Sequence, residues 1–91
     1  MNDLIQADHA SGPAPEFREF MLSREDEVGM IFISCDRIPE LFIAVDDEAN
    51  VRSAIDQCMR NAFESSGFKA HVFTNGSIAG PNIETVVKLT R

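Results

Sequence analysis

The sequence predicts an α+β domain: a small antiparallel sheet of order β-β-β-α-β-β with one amphipathic helix packed on one face. Three observations carry that prediction. Two apolar runs, Met30 to Cys35 and Leu41 to Val45, are rich in residues that suit a pleated surface. After them, Val51, Ile55, Cys58, Met59, Ala62 and Phe63 recur at spacings of three and four, the stripe of a helix that buries one side. Beyond the helix, Phe68 to Thr74 and Ile83 to Thr90 alternate with the period of two that marks half-buried strands.

Each element can be justified in chain order. Met1 to Pro15 includes Ser11-Gly12-Pro13-Ala14-Pro15, and two prolines with a glycine oppose helix and ladder alike, so residues 1–15 are expected to be a disordered N-terminal tail before a single domain over 16–91. Glu16 to Ser23 reads as a strand with Phe17, Glu19 and Met21 on one face and Arg18, Phe20 and Leu22 on the other; a helix grouping Phe17, Phe20, Met21 and Arg24 is the alternative. Glu25-Asp26-Glu27-Val28-Gly29 then serves as the loop of a hairpin into Met30 to Cys35. Arg37-Ile38-Pro39-Glu40 is the next turn. Asp46-Asp47-Glu48 caps a helix running to about Ser66, where either aspartate can accept from the orphan N–H groups of the first turn and all three charges suit the dipole. Gly67 follows where a left-handed residue is wanted. Arg52, Asp56, Arg60 and Glu64 mark the wet side as an i, i+4 ladder of alternating sign. Asn75-Gly76-Ser77 and Gly80-Pro81-Asn82 are turn signals between the last two strands, which are expected to pair.

The two apolar strands are greasy on both sides, and one helix covers one face of a sheet. Met30, Phe32, Phe42 and Ala44 fall on the face away from the helix, which predicts burial by self-association into a homo-oligomer.

Composition narrows the function classes. Fifteen acids against eight bases give 91 residues a net charge of −7, and no Lys/Arg cluster offers a phosphate path, which disfavours direct nucleic-acid binding. The acidic runs Glu25-Asp26-Glu27 and Asp46-Asp47-Glu48 suit a basic protein partner, or are simply a solvated turn and a helix cap. No stretch has the length or apolarity of a membrane span, and no export signal supports an oxidising compartment, so Cys35 and Cys58 read as reduced buried thiols in a cytoplasmic protein.

Catalytic chemistry has thin support. A two-metal nuclease needs converging carboxylates, and Asp36, Asp46, Asp47 and Glu48 are the near candidates, with Asp46 and Asp47 explained more simply as caps. His71 lies on an alternating strand with no evident nucleophile beside it, and His9 sits alone in the tail. No phosphate-cradling glycine loop and no paired Cys-x-x-Cys spacing occurs. The expectation is a non-enzyme with no cofactor and no metal.

The run Asp36-Arg37-Ile38-Pro39-Glu40-Leu41, followed by Val45-Asp46-Asp47 and the helix from Glu48 to Ser66, resembles the N-terminal domain of HicB-type antitoxins. The resemblance covers about residues 17 to 75. Glu40 stands where that family has glycine, and Asp47 where it has threonine. The resemblance implies a partial ribonuclease-H-like fold of order strand-strand-strand-helix-strand, without ribonuclease activity, whose partner is a small basic mRNA-cleaving toxin. Members often carry a C-terminal DNA-binding domain; operator binding is not carried over to this chain. The expected function is therefore an antitoxin-type module that neutralises a basic, toxin-like protein, with Glu25, Asp26 and Glu27 in the hairpin and Arg37 and Glu40 at the turn as partner-binding residues. The alternatives are an acidic, phage-type inhibitor that mimics nucleic acid, and a metal-dependent nuclease-like enzyme.

Overall fold

One long strand sets the architecture. A computed structural model describes residues 14–91, so all but the last two residues of the expected tail, His9 included, lie outside the described residues. β1 (Glu16–Glu27) is followed by β2 (Met30–Cys35), β3 (Ile38–Val45), a 3₁₀ turn at Glu48–Asn50, helix α1 (Val51–Glu64), β4 (Lys69–Asn75) and β5 (Asn82–Thr90). The strands form a five-stranded sheet of order β3-β2-β1-β5-β4, with every neighbouring pair antiparallel. The predicted α+β class and the predicted β4–β5 pairing are both present.

The pairing is staggered. β1 pairs with β5 from Glu16 to Ser23 and with β2 from Ser23 to Glu27, so within β1 Ser23 alone has a strand partner on both sides among the described residues. The sheet is thus two wings hung on opposite halves of β1: the β2–β3 hairpin on its C-terminal half and the β4–β5 hairpin on its N-terminal half. The acidic run expected as a loop is strand instead. Glu25, Asp26 and Glu27 oppose Phe32, Ile31 and Met30. The connection shrinks to Val28-Gly29, with Gly29 at φ +74°, a conformation open to glycine without strain.

The β2–β3 turn also tightens. Asp36 and Arg37 make it, while Ile38, Pro39 and Glu40 already belong to β3. The register slips between Ser34 and Cys35. Pro39 is tolerated because β3 is an edge strand, where a missing N–H costs no ladder bond.

The inner face collects the core. Leu22, Ile33, Ile83 and Leu89 point from the sheet against Val51, Ile55 and Met59 of α1, all nearly or fully inaccessible. Burying each such side chain contributes about 1.5–3 kcal/mol. The helix is shorter than expected and its stripe narrower: Cys58, Ala62 and Phe63 are half-buried. Asp47, rather than Asp46, caps, accepting from the Ala49 N–H at 2.9 Å. Gly67 takes φ +92° just past the helix, as predicted. Of the expected surface ladder, the Arg60–Asp56 pair forms at 2.9 Å. Arg52 turns instead to the Thr74 and Gly76 carbonyls at 2.8 and 2.7 Å, tying the helix to the β4–β5 loop.

Candidate binding surfaces

Extended backbone places Phe20, Leu22 and Arg24 on one side of β1, so Arg24 points inward with the core. Its side chain is only 6% exposed. It donates from Nε and Nη2 to Asp26 at 2.8 and 2.9 Å, from Nη1 and Nη2 to Glu48 at 2.9 and 2.7 Å, and from Nη1 to the Ile78 carbonyl at 2.6 Å. Its backbone N–H donates to the Pro81 carbonyl. One guanidinium therefore joins β1, the start of the helical segment and the β4–β5 loop, beside the single residue where the two wings meet. The hydrogen bonds from Arg24 hold the Asp26 and Glu48 carboxyls below the ordinary carboxylate range. The guanidinium in turn is held charged, first by Asp26 and then by Glu48.

The sequence reading missed this centre. Its signal was present: Arg24 shares a strand face with Phe20 and Leu22, and an arginine there needs anions. What supplies the second anion is Glu48, twenty-four residues away, and no local pattern reveals that.

The two acidic runs meet at one end of the sheet. Val45 opposes Ile31, which brings Asp46 next to the β1–β2 turn. A shallow hollow there is lined by Asp26, Glu27, Val28, Gly29, Met30, Ile31 and Asp46. Of its acids Glu27 and Asp46 are exposed, as are Glu25 and Asp47 near them in the chain. Asp26 and Glu48 keep part of their surface in water but are already committed to Arg24.

The expected partner-binding residues do not form one patch. Glu25, Asp26 and Glu27 lie at the β1–β2 end, whereas Arg37 and Glu40 lie beyond the other end of β2, about 16 Å away for five strand steps. Arg37 packs its guanidinium over the Phe20 ring at 5.1 Å and donates to the Glu19 carbonyl at 3.2 Å. That end is rich in cations set against aromatic rings, with Arg18 over Phe63 at 5.9 Å and Arg91 over Phe68 at 4.6 Å.

Met30, Phe32, Phe42 and Ala44 do share the face opposite the helix. Phe32 and Phe42 stack with centroids 5.8 Å apart, and Phe42 is 64% exposed. Phe17, Met21 and Phe73 are exposed on the same face over the other wing.

Chemical candidates stay apart. Among the described residues no three His, Cys, Asp or Glu side chains are grouped so as to hold a metal ion. Asp36 is exposed in its turn, and His71 is exposed beside Lys88, its cross-strand neighbour. Cys35 is buried and Cys58 half-buried, both as free thiols. No helix among the described residues is long and apolar enough to cross a membrane. No family model, curated protein or solved structure matches the chain.

Proposed function

We propose that this chain is a non-catalytic, antitoxin-type binding module of the HicB-like kind that neutralises a small basic protein in the cytoplasm. The observation behind this reading is the meeting of Glu27 and Asp46 at one end of the sheet, with the exposed Glu25 and Asp47 near them in the chain. The resemblance of Asp36 to Ser66 to HicB-type antitoxins, with their partial ribonuclease-H-like fold, supports the same reading. In this proposal the acidic end draws in the partner and selects its charge, while apolar contacts set how long it stays. Arg37 and Glu40, at the far end, would meet a partner only if it spans the length of β2. Two copies associate through the uncovered face, burying Met30, Phe32, Phe42 and Ala44.

The test is recovery of the partner from the native host, followed by salt-dependent association kinetics against wild type and a Glu25→Lys, Glu27→Lys, Asp46→Lys variant. The expected result is a small basic protein whose association slows by roughly tenfold or more in the variant and loses much of its salt dependence. Recovery of another copy of the chain as the sole partner, or an unchanged association rate, refutes the reading.

A further inference from the structure

The stagger of the sheet leaves the N-terminal half of β1 without a neighbour on one side. N–H and C=O of a strand residue point to the same side, and successive residues alternate. The Arg24 N–H points toward the β4–β5 hairpin, where it meets the Pro81 carbonyl. The Glu19 carbonyl points the other way, where it meets Arg37. The backbone groups of Phe17 and Glu19 therefore face an edge where no strand pairs with them among the described residues. This edge is short. Ser34 lies opposite Ser23, and the turn at Asp36 and Arg37 borders the edge beyond Glu19.

We propose that this edge pairs with the same edge of a second copy, β1 against β1, antiparallel and centred on Phe17. Space and charge select that register. Centring on Phe20 lays the partner's Phe17 opposite Ser23, where Ser34 already sits. Centring on Arg18 or Glu19 sets that residue directly opposite its own equivalent, and like charges so placed are destabilising. Centring on Phe17 ends the pairing at Glu19, short of the turn. Glu16 then falls opposite the partner's Arg18, and Arg18 opposite the partner's Glu16, on the face that Phe20 shares. Within one copy these two already pair at 2.6 Å, so the four charges alternate in sign around the axis. The hollow on that face has Arg18, Arg37 and Glu40 as its charged lining, and the rest is apolar but for Ser66. Two cations to one anion suit the incoming carboxylate of the partner's Glu16. On the uncovered face Phe17, 61% exposed, meets the partner's Phe17. The backbone also balances. Phe17 exchanges both bonds with its equivalent, and the Glu19 N–H donates to the partner's Pro15 carbonyl. Pro15 has no N–H to return, but Arg37 already donates to the Glu19 carbonyl at 3.2 Å. This contact uses the edge of the sheet, whereas the association proposed above uses its face, so either can fail alone.

The test uses the full chain, ¹⁵N-labelled, over a wide range of protein concentration. Hydrogen exchange at the Phe17 and Glu19 amides is expected to slow as concentration rises, while the Arg18 and Phe20 amides, which face β5, stay unchanged. Glu16→Lys sets a lysine against the partner's Arg18 and should weaken association by about tenfold. Phe17→Pro removes the central N–H while leaving every β1–β5 bond in place, and should abolish the slowing at Glu19. Phe42→Glu, on the uncovered face, should leave the slowing intact. No concentration-dependent slowing at these two amides overturns the proposal, and so does slowing that Glu16→Lys leaves unchanged. Slowing lost in Phe42→Glu but kept in Phe17→Pro overturns it in favour of contact through the face.

Discussion

The two wings of the sheet share a strand and a helix but differ in how they carry charge. The β2–β3 wing, with the C-terminal half of β1, gathers Glu25, Glu27, Asp46 and Asp47 in the open, and the cation beside them, Arg24, is buried and bound. The β4–β5 wing, with the N-terminal half of β1, mixes Arg18, Lys69, Lys88 and Arg91 with Glu16, Glu19 and Glu84. A net charge of −7 describes neither. A charged group acts over roughly a Debye length, about 8–10 Å at ordinary ionic strength, so the acidic end and the mixed end present different fields to solvent. A whole-chain charge gives a sign but not the end of the molecule that carries it.

The helix spans the comparison, so damage there should cost both wings equally. Ile55 is fully buried, and Ile55→Ala is expected to destabilise by about 2–5 kcal/mol. Chemical denaturation followed at both wings should show a single coincident transition; an earlier loss of one wing would mean that the halves fold separately.

Arg24 sits where the wings meet, and Arg24→Met should cost about 1–3 kcal/mol, since its carboxylate partners are half in water and need not remain desolvated. The loss should concentrate in the β4–β5 loop, seen as faster hydrogen exchange at Ile78 to Pro81. The same variant tests the pH dependence. Asp26 and Glu48 titrate below their unfolded values in the folded chain, so their contribution is complete above about pH 4–5 and is lost as pH falls through the depressed folded values. Wild type should therefore lose more stability than Arg24→Met between neutral and acid pH. Parallel acid limbs would show that Arg24 does not hold these carboxyls.

Inside the β4–β5 wing, Thr85 is 1% exposed and its Oγ1 has no hydrogen-bond partner among the described residues. Thr85→Val should stabilise by about 1 kcal/mol, raising Tm, because the desolvated hydroxyl disappears. A fall in Tm would reveal a partner for the hydroxyl. The smallest effect is expected at Arg60, whose bond to Asp56 joins two partly exposed side chains. Arg60→Ala should cost well under ~1 kcal/mol in urea denaturation.

Local sterics and periodicity made several features legible before any tertiary contact is considered. The 3.6-residue spacing of Val51, Ile55 and Met59 selects the buried side of α1. The alternation of Ile83, Thr85, Val87 and Leu89 selects the inner face of β5, and the apolar runs of β2 and β3 select a strand pair with an uncovered face. Turn chemistry was legible at Gly29, Gly67 and Gly76, all of which take positive φ. Extent was less legible. Glu25-Asp26-Glu27 has loop composition, yet pairing with β2 keeps it extended, because ladder bonds outweigh the weak β-propensity of acidic residues.

The stagger of the two hairpins about Ser23 is a property of the assembled sheet, as are the registers between its strands. The stagger leaves the Phe17, Glu19 and Met21 side of β1 without a strand among the described residues, the β2–β3 register brings Asp46 to Glu27, and the fold of the chain over the sheet delivers Glu48 and the Ile78 carbonyl to Arg24. Each of these juxtapositions depends on which residue of one strand faces which residue of another. A strand's own sequence carries a period of two and no absolute register; the register comes from the shared core and from long-range bonds such as Arg24 to Glu48.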